Sequence, residues 1–109
     1  MTLDEFITKT NNKLSNRTFN VRPAIYCDDG FTVSVQASEG HYCNPKINNS
    51  TKYSEFELGF PSETEELILP FIEGNGDPTE TVYGWVPADT LIKVINKHGG
   101  IDINRTFKK

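Results

Sequence analysis

The sequence predicts an α+β domain, a four- or five-stranded, mainly antiparallel sheet with helices packed on one face. Three observations predict it. Four segments alternate apolar and polar residues with period two, helical spacing is confined to both ends and one short central segment, and 109 residues suffice for one modest core but not two. Strands that alternate cleanly belong to antiparallel sheets covered on one side. Residues 1–109 are therefore expected to form a single domain, with a basic tail from about residue 104 to 109 that frays.

The elements follow in chain order. Thr2-Leu3-Asp4-Glu5 is a capping box, and Leu3, Phe6, Ile7, Thr10 and Leu14 then fall on one face of a helix, which ends near Ser15 and Asn16. From Thr18 the period switches to two, with Phe19, Val21, Pro23, Ile25 and Cys27 on one side and Arg22, Ala24 and Tyr26 on the other. Pro23 donates no ladder hydrogen bond, which places this strand at an edge or a bulge. Asp28-Asp29-Gly30 is a turn, after which Phe31, Val33, Val35 and Ala37 complete a β-hairpin. Residues 39–52 are rich in turn formers and predict a long loop able to touch a partner.

Phe56, Leu58 and Phe60 alternate with Glu55, Glu57 and Gly59, a third strand with two carboxylates on its outer face. Ser62-Glu63-Thr64-Glu65 reads as a second capping box opening a short helix that Pro70 limits or kinks. A turn at Gly74 to Pro78 leads to a fourth strand, about Thr81 to Val86, with Tyr83 and Trp85 on one side. Trp85 is expected to fill the core beneath the last helix. Pro87 opens that helix, its stripe being Ala88, Leu91, Ile92 and Ile95. Lys93, Lys97 and His98 complement its dipole, and Gly99 supplies the left-handed stop. Ile101 and Ile103 then suggest a short edge strand.

Charge is distributed unevenly. Residues 53–92 hold nine carboxylates (Glu55, Glu57, Glu63, Glu65, Glu66, Glu73, Asp77, Glu80, Asp89) and no lysine or arginine. Residues 1–52 hold five acids against six bases, and residues 93–109 hold one acid against five bases. Such an acidic block repels nucleic acid and suits a protein groove built to hold it. Direct sequence-specific DNA binding is not expected, since the basic residues are scattered or confined to the tail and no helix presents a basic stripe.

Catalytic and metal signatures are weak. Cys27 and Cys43 read as reduced, buried thiols of an intracellular protein, because no basic n-region with an apolar h-region opens the chain and no apolar run is long enough to span a membrane. His41, Cys43, Cys27 and His98 lack paired zinc-ligand spacings, and the glycines at 74 and 76 lack the lysine and Ser/Thr of a phosphate loop. No metal or cofactor is expected. A thiol enzyme built on Cys43 beside His41 ranks third among the readings.

Three segments carry a resemblance: Phe31 to Ala37, Glu57-Leu58-Gly59-Phe60-Pro61-Ser62, and Tyr83-Gly84-Trp85-Val86-Pro87 through Lys97-His98-Gly99-Gly100-Ile101. Through them most of residues 2–101 resembles a family of small accessory proteins of bacterial phages and prophages. The resemblance supplies no catalytic motif, so no functional residue is carried over. It implies a protein in the host cytoplasm that blocks a defence complex, in its sharpest form an anti-CRISPR protein that binds the nuclease. The expectation is thus a non-enzymatic inhibitor that imitates a phosphate track and occupies a basic nucleic-acid-binding groove. Its expected contact residues are Glu55, Glu57, Glu63, Glu65, Glu66 and Glu73. The alternative is a phage structural or accessory interaction protein, a homodimer through a sheet edge, whose acidic face is merely solvated.

Overall fold

A computed structural model describes residues 1–11 and 21–107. The elements are α1 (Leu3–Asn11), β1 (Ile25–Tyr26), β2 (Thr32–Gln36), β3 (Glu55–Gly59), β4 (Val82–Pro87), α2 (Ala88–Lys97) and a one-turn α3 (Ile103–Thr106), with a 3₁₀ turn at Leu69–Phe71. The four strands form one antiparallel sheet in the order β1-β2-β3-β4, so the α+β expectation holds. Leu14, the helix end near Ser15, the strand residues Thr18 to Asn20 and the last two lysines lie outside the described residues.

α1 starts as its capping box requires. Thr2 N–H donates to Glu5 Oε1 (2.8 Å), and Glu5 N–H donates to Thr2 Oγ1 (3.1 Å). Leu3, Phe6 and Ile7 are buried with Leu91, Val94 and Ile95 of α2 against Val33, Val35, Phe56, Leu58, Tyr83 and Val86 of the sheet. The hairpin also forms, pairing Ile25 with Val33 and Tyr26 with Thr32 around Gly30 at φ +97°.

Several expectations fail for identifiable reasons. β1 is two residues long because the alternation slips at Pro23. Val21 is exposed and Arg22 is buried, and the Gln36 side chain, not a ladder, satisfies the Arg22 peptide (2.7 and 3.0 Å). Ser62 opens no α-helix, because its hydroxyl accepts Thr32 N–H (3.0 Å) and its own N–H donates to Thr32 O (2.8 Å). Phe60 leaves the core, exposed with φ +51°. In α2 the buried face runs through Leu91, Val94 and Ile95, and Ile92 is exposed. The expected edge strand is reduced to an antiparallel bridge of Ile101 with Cys27, and residues 103–106 form a helical turn where Ile103 and the start of a fraying tail were expected, with the Asp102 side chain accepting Arg105 N–H (3.0 Å).

β3 and β4 contain a bulge that sets the outer surface. Phe56 pairs with Val86 and Leu58 with Tyr83, so Glu57 stands opposite two residues, Gly84 and Trp85. Tyr83 and Val86 consequently both face the core although three apart. Trp85, expected in the core, points outward with 43% exposure and φ +50°. Both sheet edges are occupied. Asp102 N–H donates to Tyr26 O (2.7 Å) and Tyr26 N–H to Thr106 Oγ1 (3.0 Å) along β1, while Glu73 N–H donates to Val82 O (3.0 Å) and Ile72 bridges Tyr83 along β4.

Candidate interaction surface

The six carboxylates expected to make contact are not brought together. Glu65, expected to be solvent-facing, is buried on the helix side of the sheet with 1% exposure. Its Oε1 meets His98 Nε2 (2.8 Å) and Lys97 Nζ (3.0 Å), and its Oε2 accepts Leu67 N–H (3.0 Å). His98 Nδ1 reaches Asp29 Oδ2 (2.6 Å), and the imidazole stacks on Phe31 with ring centroids 4.0 Å apart. α2 ends in this network, so cations at its C-terminus take the carboxylate that a local helix start would otherwise have used. Burial alone would raise the Glu65 pKa, but the Leu67 N–H, His98 and Lys97 together hold it below the ordinary value. For His98, burial pulls the pKa down, and the bonds and charges of Glu65 and Asp29 outweigh it, so the net shift is upward.

The other five carboxylates remain at the surface. Glu63, Glu66 and Glu73 are exposed, Glu55 and Glu57 half-buried, and among the described residues none of the five forms a salt bridge. Glu63 and Glu66 flank the buried Glu65, whereas Glu57 alternates with Phe56 and Leu58 and so projects from the opposite, outer face. The anionic surface is therefore divided, not a single track.

On the outer face the segment from Ser38 to Asn44 rests on the bulge. Glu57 Oε1 accepts Tyr42 N–H (2.9 Å), and Tyr42 O accepts Trp85 N–H (2.9 Å), the group that the bulge leaves without a ladder partner. The Tyr42 and Trp85 rings stack, centroids 4.8 Å apart and planes inclined by 19°. Lys46 Nζ lies 5.8 Å from the centroid of the Tyr42 ring. Gly84 makes this approach possible. A Cβ there would stand 3.0 Å from Glu73 Oε2 and 3.3 Å from the Tyr42 Cβ. Gly84→Ala is accordingly expected to separate the two rings and to cost about 1 kcal/mol through overpacking, read as a shift of Trp85 fluorescence with a small fall in the denaturation midpoint.

The chain matches no family model, no curated protein and no solved structure.

The thiols and histidines of the other candidate chemistry are held within the fold. Cys27 and Cys43 are buried free thiols. The Cys43 thiol donates to Ser38 O (3.2 Å), and burial foremost pushes its pKa up, the reverse of what an activated nucleophile needs. His41 Nδ1 is bonded to Ser38 Oγ (2.7 Å), and burial chiefly lowers its pKa. Among the described residues no group of three His, Cys, Asp or Glu side chains is placed to hold a metal ion, and no helix is long and apolar enough to cross a membrane. The loop 39–52 is fastened by Tyr53, whose hydroxyl donates to Ile47 O (2.7 Å) and accepts Ser50 N–H (3.1 Å).

Sequence reasoning missed the pairing of Tyr42 with Trp85. The available signal was Gly84 beside a tryptophan, since glycine inside a strand marks a bulge or the close approach of another segment.

Proposed function

We propose that this protein is a non-enzymatic binding protein that places exposed carboxylates in a basic groove of a nucleic-acid-handling partner. The carrying observation is electrostatic. Of the nine acids between residues 53 and 92, only Glu65 meets a cation among the described residues, and it is the buried one. The exposed acids face solvent without internal compensation, as a surface addressed to basic side chains requires. Contact is assigned to Glu63 and Glu66 on one side and to Glu55, Glu57 and Glu73 on the other, and Glu65 is withdrawn. A defence complex of a phage-infected host, including a CRISPR nuclease, is the sharpest form of this reading and rests on the resemblance to phage accessory proteins. Support over the edge-dimer alternative comes from both outer strands already having hydrogen-bonded neighbours.

The test is capture from host lysate followed by a salt series on the retained partner. Affinity is expected to fall steeply with ionic strength, and the triple change Glu63→Lys, Glu66→Lys, Glu73→Lys is expected to weaken binding at least tenfold at low salt. Affinity indifferent to salt, or capture of only this chain or virion components, defeats the proposal.

A further inference from the structure

We propose that the stacked Tyr42–Trp85 pair is an arginine-reading point, occupied by an exposed arginine of a basic protein partner whose guanidinium lies on the indole face beside Glu57 and Glu73. This inference rests on the binding role above and specifies the partner's side-chain chemistry.

The first support is conformational. Trp85 combines 43% exposure with φ +50°, a region in which a bulky residue is strained. Neither feature relieves the other. Outward display of the indole is enforced by the bulge and by the bond from Trp85 N–H to Tyr42 O, and strain held in place by its surroundings is characteristic of ligand-contacting positions.

The second support is the chemistry around the ring. Tyr42 is the ring stacked on the indole among the described residues, and Lys46 already lies near the Tyr42 ring, so this aromatic array accepts a cation within the molecule. Glu57 gives one carboxylate oxygen to Tyr42 N–H, while its second has no partner among the described residues. Glu73 brings its carboxylate over Gly84, the residue before Trp85, into space that any side chain would fill. An aromatic face with carboxylates beside it repels a phosphate, including that of a nucleic-acid backbone, and attracts a cation. Between the two cationic side chains, the planar and weakly hydrated guanidinium both stacks and bonds carboxylates in pairs, whereas an ammonium remains a hydrated point charge.

The experiment uses the whole chain and two short peptides of equal charge, one of alternating glycine and arginine, the other of alternating glycine and lysine. Trp85 is the single tryptophan, so intrinsic fluorescence reports from the proposed point, and calorimetry serves the variant that lacks it. The arginine peptide is expected to change Trp85 emission saturably and to bind roughly threefold more tightly than the lysine peptide, since an ammonium also gains on an aromatic face and the difference comes from guanidinium stacking and paired carboxylate bonds. Trp85→Ala should abolish that preference, Trp85→Phe should keep part of it, and Glu73→Gln should weaken the arginine peptide more than the lysine one. Equal affinity for both peptides, unchanged by Trp85→Ala, overturns the inference and leaves the broader acidic reading standing. If neither peptide binds, the inference falls, and if the captured partner is also insensitive to salt, the broader acidic reading falls with it.

Discussion

Replacing Glu65 with alanine is expected to lower the unfolding free energy by roughly 3 kcal/mol, the lower part of the range for removing one member of a buried ion pair. Within the network the loss falls on His98, which is 7% exposed and would face the vacated site. Lys97 and Asp29 are half-exposed at their side chains and regain water, and His98 can release its proton, which keeps the cost from being larger. Glu65→Gln retains the shape but not the charge, so a smaller loss is expected, with the His98 pKa moving down toward the ordinary imidazole value. NMR titration of the His98 ring checks this directly.

The same network fixes a pH profile. His98 has a raised pKa when folded, so its contribution is complete below the ordinary imidazole value of 6.5 and is lost as pH rises through the folded value. Glu65 and Asp29 have lowered values when folded, so theirs is complete above the ordinary carboxylate values of 4.5 and 3.8 and is lost as pH falls. The network's contribution is therefore greatest between 4.5 and 6.5. Denaturation midpoints measured from pH 4 to pH 9 should show that maximum in the parent chain and a flatter curve in Glu65→Ala. An unchanged curve would show that the network contributes nothing to folding.

The second large effect is expected at Arg22. Its guanidinium is buried and donates to Ile7 O (3.1 Å), Thr10 Oγ1 (2.7 Å) and Ala37 O (2.9 Å), with no carboxylate among these partners. The charge is instead held by two carbonyls and a hydroxyl. Burial pulls the Arg22 pKa down, and Tyr53, whose ring centroid is 5.9 Å away, counters it. Arg22→Ala leaves Ala37 O without this donor and opens a cavity between α1 and β2, a loss of about 3–4 kcal/mol. Arg22→Lys keeps the charge but cannot reach three acceptors on two elements, and less than half of that loss should be recovered. Guanidinium denaturation of the three chains settles the order.

What could be read from the sequence was what local pattern determines. The capping box at Thr2 and Glu5, the hairpin around Gly30, the alternation of Phe31, Val33 and Val35, and the stop at Gly99 (φ +92°) all appear as expected. The failures come from partners distant in the chain. Ser62 to Glu65 satisfies a helix-start pattern, yet Ser62 is taken by Thr32 and Glu65 by His98, 33 residues away. Arg22 sits on the nominal solvent side of an alternating run whose phase Pro23 breaks. Trp85 fits a period-two strand until the bulge inserts a residue, and nothing in the local pattern marks that insertion except Gly84. The candidate surface was half legible, since the acids are plain in the composition, but the withdrawal of Glu65 depends on His98 and the aromatic pair beside Glu57 depends on how the loop 39–52 folds back.

The occupied edge at β1 has a consequence for synthesis. Tyr26 N–H waits for Thr106 Oγ1, 80 residues further along the chain, and Tyr26 O waits for Asp102 N–H. On the ribosome the hairpin can close long before that shelter exists. Until residue 106 has emerged, the nascent chain carries that strand margin open, and it is the brevity of the two-residue strand that limits pairing with neighbouring chains.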